Sequence, residues 1–596
     1  MIGTLRGALL LAAVVVIPLA IGGDNASKPL GDPVLETPTL RCLGVYWLIE
    51  GDDNRNASVE FLYKKKSDAD WKRGPNLFRV ERQMDKHLKG TDGKPHVFTV
   101  KVPPNAWMFA GSVFLLDADT AYDLKLKLTD PDGGSVEKTL AAHTIGEPVD
   151  PKNGPQIHVI PGAGGGTGSA SDPFKGFDAA LKGAKPGDVL LFHAGTYTGE
   201  FSIGKSGEEG KPIVFRGAGD GETIFDGGTP KDKLDGSHGV IDFSNQHDLW
   251  FEKISVRAGH NLFRGHGAYR IVIRRCHIFD GIVGVFAVGD DTKQLGRFFI
   301  ADNLFEGVMP WPTTKEQYAA LTESRGVWMG GTGNVVCFNR FHHWKDGIDM
   351  ADCRRCDSND FHNNDVSECF DDGTELDGSE RNTRCFLNRY TNVYQGISFQ
   401  PIYGGPAYAF RNVLYNCQVE PFKLHNGPSG SVMIHNTIVR NGPPTMVMTG
   451  EPQYNAYARN NLFIGTEGRA LHYDCPNVDC DYDYDGFAGM SGDVFLKWNN
   501  VKYPSLEDVK KNCPVEKHCT VVDNKTVFAS GVQPPDDNKK IFDPKIVDVR
   551  LKEGSAAIDA GEVLPGFNDG YSGKAPDLGA YEFGSELPQY GVRPEK

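Results

Sequence analysis

The sequence contains Asn339-Arg-Phe341, Asn364-Asp-Val366, Asn388-Arg-Tyr390, Asn412-Val-Leu414, Asn436-Thr-Ile438 and Asn461-Leu-Phe463, six copies of one pattern. Successive asparagines are 25, 24, 24, 24 and 25 residues apart. A period of this length is typical of a solenoid, in which each repeat buries its apolar face against its neighbours. Short β-branched and aromatic segments between Gly and Asn turns indicate strands. The sequence therefore predicts an all-β chain whose main domain is a parallel β-helix of about 24 residues per coil.

The repeated asparagines have a structural explanation. An amide side chain offers both hydrogen-bond donors and acceptors, so asparagines stacked at one turn can bond to each other along the solenoid. The period also indicates which side chains stand beside each other on successive coils, which lie about 4.8 Å apart.

Composition and charge restrict the class of protein. A chain of 596 residues is too long for one ordinary core and should divide into two or three domains. The formal net charge of −15 argues against nucleic acid and anionic membrane surfaces as partners. An acidic protein can still bind an acidic polymer when a divalent cation lies between them.

The first residues are typical of a secretory signal. Arg6 precedes an apolar run from Ala8 to Ile21, and residues 1–26 are predicted to be a signal peptide, with an uncleaved anchor as the alternative. No later segment is long and apolar, so we expect no membrane span after cleavage. The predicted location is secreted or extracytoplasmic, in the periplasm or at the cell surface, and the protein is expected to be a monomer.

Residues 35–147 show alternating strand patterns without the coil repeat. The stretch from Leu116 to Tyr122, followed by Asp130-Pro-Asp-Gly-Gly134, resembles the late strands of a fibronectin type III module, and Trp47 fits that β-sandwich. Residues 155–583 are assigned to the β-helix. Within them, residues 172–183 predict a helix that caps the open first coil, and residues 482–545 predict a loop-rich region.

Two further stretches carry a resemblance. Residues 185–197 and the ending at 556–582 resemble the opening coils and the tail of secreted right-handed β-helix proteins of the pectate lyase type. The resemblance implies a right-handed β-helix that acts on carbohydrate.

Short strands follow most of the ladder asparagines by eight or nine residues, and strand alternation directs their apolar residues inward and the residues between outward. Stacking then predicts three columns of polar side chains. The columns are Asp349, Glu375, Ser398 and Lys423; Ala351, Asp377, Gln400 and His425; and Asp346, Asp372, Gln395 and Glu420.

Carboxyl groups are concentrated on two neighbouring coils, with Asp371 beside Asp372. Like charges this close are unfavourable unless something compensates them. The compensation can be bound Ca²⁺, which takes six to eight oxygen ligands, or a proton held on an acid of raised pKa. It can also be salt bridges to Arg354, Arg355, Arg381 and Arg384.

Three short motifs resemble family 9 polysaccharide lyases: Lys345-Asp-Gly-Ile348, Asp371-Asp-Gly-x-Glu375 and Phe422-Lys-Leu424. In that family aspartates hold Ca²⁺ and a lysine removes a proton from the sugar. Carried over by position, the metal ligands are Asp346, Asp371, Asp372 and Glu375, with Asp349 and Asp377 beside them, and Lys423 is the base. Two features depart from the family pattern: Glu375 replaces an aspartate, and the coil of Ser398 intervenes, which places Lys423 about 10 Å along the axis from the acids.

The implied reaction is a Ca²⁺-dependent β-elimination on a polymer that contains uronic acid. Ca²⁺ would neutralise the substrate carboxylate and make the neighbouring carbon acid removable. Arg411 is predicted to hold the enolate-like charge, and His425 completes the catalytic set. The predicted substrate-binding residues are Gln400, Tyr403, Tyr394 and Trp328.

Other functions use the same columns. A glycoside hydrolase would use paired carboxylates, either Asp349 with Glu375 at about 5 Å or Asp346 with Asp377 further apart. A uronate C5-epimerase would share the proton abstraction. A non-catalytic polysaccharide-binding protein at the cell surface would bind the polymer without turnover.

Overall fold

The computed structural model describes residues 25–80, 98–151, 154–229, 234, 238–289, 295–314, 316, 323–350, 355–445 and 447–595. Most of the predicted signal peptide therefore lies outside the described residues, as do Ala351 and Arg354. Neither α-helix of the described chain has the length and apolarity that a membrane crossing requires. The described chain is almost entirely β-structure.

The N-terminal strands form two antiparallel sheets that share one core. The first sheet contains β1 Lys28–Pro29, β2 Val34–Leu35, β3 Leu43–Glu50, β6 Phe78–Val80 and β7 Ala106–Val113. The second contains β4 Ser58–Lys65, β5 Lys72–Arg73, β8 Ala121–Asp130 and β9 Gly134–His143. Trp47 lies in the shared core, and the Tyr122 hydroxyl accepts a hydrogen bond from the Asp117 backbone N–H at 3.0 Å. The fibronectin type III resemblance stays a prediction.

The rest of the chain is built on two long parallel sheets, sheet A and sheet B. Within the described residues, sheet A contains β10 Gln156–Ile160, β11 Phe174–Lys175, β12 Val189–Phe192, β15 Ile213–Gly217, β18 His247–Glu252, β20 Tyr269–Arg274, β22 Phe299–Ala301, β25 Val335–Cys337, β29 Asp360–His362, β32 Thr383–Phe386, β34 Tyr403–Phe410, β36 Ser429–Ile434, β39 Gln453–Tyr454, β40 Tyr457–Arg459, β43 Asn477–Val478 and β44 Asp481–Asp483.

Sheet B contains β13 Gly195–Thr198, β14 Phe201–Ser202, β16 Thr223–Asp226, β17 Gly239–Asp242, β19 Ser255–Arg264, β21 His277–Ala287, β23 Leu304–Glu306, β24 Arg325–Met329, β26 Arg340–His342, β27 Asp346–Asp349, β30 Asp365–Glu375, β33 Arg389–Ser398, β35 Val413–Lys423, β37 Thr437–Val439, β41 Leu462–Ile464, β45 Gly486–Ala488 and β48 Thr520–Val521. Two small sheets contain β28 Cys356–Asp357 with β31 Ser379–Arg381, and β38 Val447–Thr449 with β42 His472–Asp474, β46 Leu496–Trp498 and β47 Val501–Tyr503. The predicted parallel β-helix is confirmed, with about 11 turns of about 25 residues each.

The asparagine ladder is present as hydrogen bonds. Each ladder side chain from Asn339 to Asn436 donates through Nδ2 to Oδ1 of the next asparagine at 2.9–3.1 Å. The column is longer than the repeat pattern indicates, because Asn303 precedes it and Asp485 accepts from Asn461 at 3.0 Å. These bonds fix the axial register of every coil in the central region.

Two elements cover parts of the solenoid. Helix α1 spans Phe177–Gly183 and packs Phe177 against the rings of Phe192 and Phe215 at the first coils. The stretch 482–545 is less irregular than predicted, because it contains β45–β48 and the helix α2, Leu506–Asn512. A 3₁₀ turn at Pro544–Ile546 follows.

A buried polar network joins the N-terminal sandwich to sheet A. Arg384 donates to Asp360 at 2.5 Å and to the hydroxyl of Ser112 at 3.1 Å. Arg381 is ion-paired with Glu36 at 2.5 Å. Of the possible salt-bridge partners for the acidic coils, Arg381 and Arg384 are therefore paired with other carboxylates. Arg384 belongs to β32 of sheet A and Arg381 to β31 of the small sheet, and both face the sandwich.

Candidate functional site

The predicted columns appear as strand register in sheet B. Asp349 pairs with Glu375, Glu375 with Ser398, and Ser398 with Lys423. Trp328 precedes them, because it pairs with Asp349 on the coil before. The alternation and the coil period were sufficient to place these side chains side by side.

A second column lies along the same strands. Asp372 pairs with Gln395, and Gln395 with Glu420. The ladder between β30 and β33 shifts its register between Cys369 and Asp372. Such a bulge redirects side chains, and bulges are frequent at functional sites. Beside this irregularity, Asp371 accepts from Gln395 Nε2 at 2.6 Å and the Asp372 N–H donates to Asp346 at 3.1 Å.

Lys423 reaches the acids directly. Its Nζ donates to Asp372 Oδ2 at 2.8 Å and lies 3.9 Å from Glu375 Oε1. The expectation that the coil of Ser398 keeps the lysine about 10 Å from the acids is wrong, since that distance applies to the backbone. The flexible four-carbon side chain extends along the axis and spans the intervening coil.

Two further cationic side chains, Arg325 and Lys345, lie beside these carboxyl groups. Arg325 forms a short ion pair with Asp349, and its guanidinium lies 4.2 Å from the centre of the Trp328 ring. Lys345 Nζ is 2.5 Å from Glu323 and 3.9 Å from Asp371. Sequence reasoning assigned no role to Arg325 or Lys345. Arg325 precedes Asn339, the first of the six asparagines in the repeat pattern. Its place beside the acids is therefore seen only in the structure, where it pairs with Asp346 in the strand register.

Negative charge exceeds positive charge in this part of the described chain. Six carboxyl groups, from Asp346, Asp349, Asp371, Asp372, Glu375 and Asp377, face the cations of Arg325, Lys345 and Lys423. All six carboxyl groups are less than 9% exposed. These nine groups alone carry a formal charge of −3 when every group is ionised, and Glu323, which pairs with Lys345 and Arg325, adds a further negative charge at the edge of the cluster.

Burial and mutual repulsion change the acidity of these groups. Burial raises the pKa of Asp372 to about 6, although the Lys423 ammonium opposes the shift. Burial, and then the charge of Asp349, raises the pKa of Glu375 well above its usual range. For Lys423, burial disfavours the ammonium, but the carboxylates of Asp372 and Asp371 outweigh it and raise the pKa. The cluster holds protons tightly when no other cation is bound.

The residues present fit a cation of the Ca²⁺ type. In two groups, Asp346–Asp349–Glu375 and Asp346–Asp371–Asp372, one carboxylate oxygen per residue lies within 4.8 Å of the others. Asp372 Oδ1 is buried and accepts no hydrogen bond from an N–H or hydroxyl group of the described residues, and the Glu375 carboxyl group is the neighbour that bonds to the Asp372 carboxylate. An orphaned carboxylate oxygen beside other oxygen ligands is the chemistry that Ca²⁺ requires. Asp377 lies outside both groups, since its Oδ1 accepts from Ser398 Oγ at 2.7 Å and from the Gln400 N–H at 2.6 Å.

Three of the remaining predicted site residues lie near the carboxylate cluster. His425 is half-exposed and lies 3.6 Å from Glu420, whose carboxylate raises the pKa of the imidazole. Tyr394 is half-buried near Asp371 and Glu420, and burial raises the pKa of its phenol. Gln400 is half-buried and approaches the cluster through its backbone N–H.

Two predicted residues are oriented away from the cluster. Arg411 donates to the Ala580 carbonyl at 2.9 Å and pairs with Glu582, because its left-handed turn (φ 52°) directs the guanidinium to the C-terminal segment. The prediction that it holds enolate charge is therefore wrong. Tyr403 is 5% exposed and packs edge-on against Phe98 with centroids 6.2 Å apart, so its ring face is not open to a sugar.

Comparisons with known protein sequences show similarity over only a short part of this chain. No protein-family model matches the chain. Pectate lyase L of Dickeya chrysanthemi is 34% identical over 124 residues, 19% of this chain, so the match spans only 27% of that relative's length.

Solved structures are also similar. Pectate lyase Pel9A is 17% identical and covers 72% of this chain and 96% of its own, with a TM-score of 0.39. A rhamnogalacturonan lyase is 14% identical over 65% of this chain and 97% of its own, with a TM-score of 0.32. A family 28 exopolygalacturonase of Yersinia enterocolitica is 10% identical over 80% of this chain and 100% of its own, with a TM-score of 0.26.

Proposed function

We propose that this protein is a Ca²⁺-dependent polysaccharide lyase that performs β-elimination on a polymer containing uronic acid. The observation that carries the proposal is the position of Lys423. Its Nζ, 2.8 Å from Asp372, is buried in a carboxylate cluster that has an orphaned oxygen and three negative charges in excess. A structural salt bridge would need one carboxylate, and this ammonium faces several.

Asp346, Asp371, Asp372 and Glu375 would hold the metal, with Asp349 next to them. Bound Ca²⁺ would neutralise the substrate carboxylate and so acidify the carbon next to it. Lys423 Nζ then takes the proton from C5 of the uronic acid. The electron pair forms the C4–C5 double bond, and the bond from C4 to the glycosidic oxygen breaks. That oxygen leaves with the bonding electron pair and takes a proton from water. The neutral amine is the form that can accept this proton, so Lys423 must first leave its ion pair with Asp372.

Several side chains support substrate binding. Trp328 stands at the head of the column, with Arg325 over its ring, and a half-buried indole is suited to stacking on a sugar face. Tyr394 and Gln400 line the cluster on its later coils, and His425 lies beyond Lys423 as a polar contact for the polymer. An acidic polymer would bind here through the cation despite the protein's net charge of −15.

A glycoside hydrolase is the second candidate, and one arrangement favours it. Glu375 has a pKa well above its usual range, while Asp349 faces it and is ion-paired with Arg325. A protonated and an ionised carboxyl group side by side can act as general acid and nucleophile. Their oxygens lie within 4.8 Å of each other, which fits retaining better than inverting chemistry. In this mechanism Lys423 would bind substrate.

The first experiment measures ultraviolet absorbance of the purified protein mixed with pectate, alginate and glycosaminoglycans, with Ca²⁺ and with chelator. A lyase produces a rise in absorbance that requires Ca²⁺, because the product contains a conjugated double bond. Release of reducing ends without this rise would support the hydrolase. An altered uronate epimer composition without chain cleavage would support the epimerase, and polymer binding without turnover would support a binding protein.

Lys423→Ala tests the base. We expect turnover to fall by at least about 10²-fold, the usual contribution of a general base, while the variant stays folded and still binds Ca²⁺. The matched control is Lys497→Ala, because Lys497 Nζ is also partly buried and paired with a carboxylate, Asp474, at 2.6 Å. Activity of Lys423→Ala equal to that of the control would refute the assignment.

The other parts of the chain complete the proposal. Residues 1–26 would direct secretion and be removed, and the protein would act outside the cytoplasm as a monomer. The sandwich within residues 35–147 would be a fibronectin-type-III-like module. Its buried network with sheet A holds it against the solenoid, so it would act as a fixed support for the coils.

A further inference from the structure

A second group of metal-binding side chains lies at the turn between β26 and β27. His342, His343 and Glu368 each place one ligand atom within 4.8 Å of the others. His343 Nε2 is 3.0 Å from Glu368 Oε2, and His342 Nε2 is 3.8 Å from Glu306 Oε1. Two imidazoles and two carboxylates from three successive coils therefore lie close together at the surface of sheet B.

Glu306 is held in place by a further histidine. Its Oε2 is 2.5 Å from His277 Nε2, which leaves Oε1 as the oxygen nearer to His342. Ligands of protein metal sites are usually oriented by such outer hydrogen bonds. His277 therefore has the position of an outer residue that orients Glu306.

The backbone supports a ligand role for His343 and Glu368. Both adopt left-handed conformations, with φ of 60° and 53°. The next two coils place Asn392 and Asn416 at the corresponding position, with φ of 57° and 61°. Asparagine tolerates this conformation well, so His and Glu are not the residues that the backbone alone favours. On earlier coils the corresponding position is occupied by Ala258 and Asp280, with φ of 60° and 52°, so the position accepts varied side chains. His343 and Glu368 are the pair at this position that lies beside His342 and Glu306.

We propose that His342, His343, Glu368 and Glu306 form a binding site for a divalent transition ion of the zinc type, separate from the carboxylate cluster. Mixed nitrogen and carboxylate ligands suit Zn²⁺, whereas Ca²⁺ takes oxygen ligands. Four protein ligands close the coordination sphere, as in structural sites. The ion would connect the coils of β23, β26 and β30 beside the strand that carries Asp346. This site is independent of the proposed lyase activity.

The test uses the full-length protein after removal of metal ions. Zn²⁺ alone is titrated by calorimetry, and Co²⁺ by visible absorption, which reports its coordination geometry. We expect one Zn²⁺ per chain, no competition from excess Ca²⁺, and an at least about tenfold loss of affinity in His343→Asn and in Glu368→Gln. His343→Asn suits the backbone, since asparagine occupies this position on the later coils. His518→Asn is the control, because His518 forms an exposed pair with Asp483 at 2.6 Å.

Three results would overturn the proposal. The first is no binding of Zn²⁺ by the wild-type protein at one equivalent. The second is binding by His343→Asn as tight as by His518→Asn. The third is loss of the ion in Asp372→Asn rather than in His343→Asn, which would place Zn²⁺ in the carboxylate cluster. Far-ultraviolet circular dichroism of each variant shows whether it is folded. Failure here leaves the Ca²⁺-dependent absorbance assay unaffected, so the two proposals are tested separately.

Discussion

Replacing Asn388 with alanine removes four hydrogen bonds with nitrogen and oxygen partners from the interior of the solenoid, and a longer one from Nδ2 to Cys385 Sγ at 3.3 Å. Its Nδ2 donates to the Phe361 carbonyl at 2.9 Å and to Asn412 Oδ1 at 3.0 Å. Its Oδ1 accepts from the Asn364 backbone N–H at 2.9 Å and from Asn364 Nδ2 at 3.0 Å. The side chain is buried, so water cannot replace these partners in the folded protein.

The expected loss follows from these contacts. A buried hydrogen bond contributes about 1 kcal/mol net, so four bonds correspond to about 4 kcal/mol in the free energy of unfolding. Asn388 belongs to the coil that carries Ser398, between the coils of Glu375 and Lys423. A weakened coil at this level should also loosen the contact between Lys423 and Asp372.

Urea unfolding followed by circular dichroism measures the loss. The control is Asn500→Ala, because Asn500 is exposed and its side chain donates only to the Asp474 carbonyl at 3.2 Å among the described residues. At its φ of 64° alanine also brings backbone strain, so the loss should be about 1 kcal/mol. Asn388→Asp keeps both acceptor bonds but loses the two donated ones and buries a charge, so it should be at least as destabilised at neutral pH. If Asn388→Ala is as stable as Asn500→Ala, the ladder does not hold the coils together.

Two further predictions concern the candidate site. Without divalent ions, burial raises the pKa of Asp372 from 3.8 to about 6, so between these values the folded protein holds a proton that the unfolded chain has lost. This contribution favours folding at acid pH and disappears as the pH rises through 6. The free energy of unfolding of wild-type protein should therefore fall by about 2 kcal/mol relative to Asp372→Asn between pH 4 and 7. If urea unfolding shows that the free energies of unfolding of wild type and Asp372→Asn differ by the same amount at every pH, this prediction is wrong. Trp328→Ala should raise KM for the polymer about three- to tenfold with little change in kcat, because it removes a stacking surface; steady-state kinetics showing an unchanged KM would exclude stacking.

Much of the fold follows from local spacing. The asparagine interval predicts the coil length, and strand alternation within each coil predicts which residues share a column, as the pairing of Asp349 with Glu375 confirms. Both rules depend only on backbone geometry, which is the same on every coil. They also place the acids together without any knowledge of the ligand.

Side-chain reach and long-range contacts do not follow from spacing. The Lys423 side chain is long enough to reach Asp372 two coils away. The distance between the two backbones therefore does not predict where the ammonium lies. Arg411 bonds to a carbonyl 169 residues later in the chain, and no repeat pattern contains that information. Arg325 enters the cluster from the coil headed by Asn303, which stands 36 residues before Asn339 and therefore outside the period of 24 or 25 residues.

The ion pair between Lys423 and Asp372 connects the two halves of the proposed mechanism. The carboxylates that stabilise the ammonium also prevent it from accepting a proton. Neutralising those carboxylates with a divalent cation removes the interaction that keeps the lysine charged. The same event would occupy the orphaned oxygen of Asp372 and offset most of the excess charge of −3. Cation binding and activation of the base are therefore expected to be coupled, and chelation should shift the pH profile of turnover as well as reduce its rate.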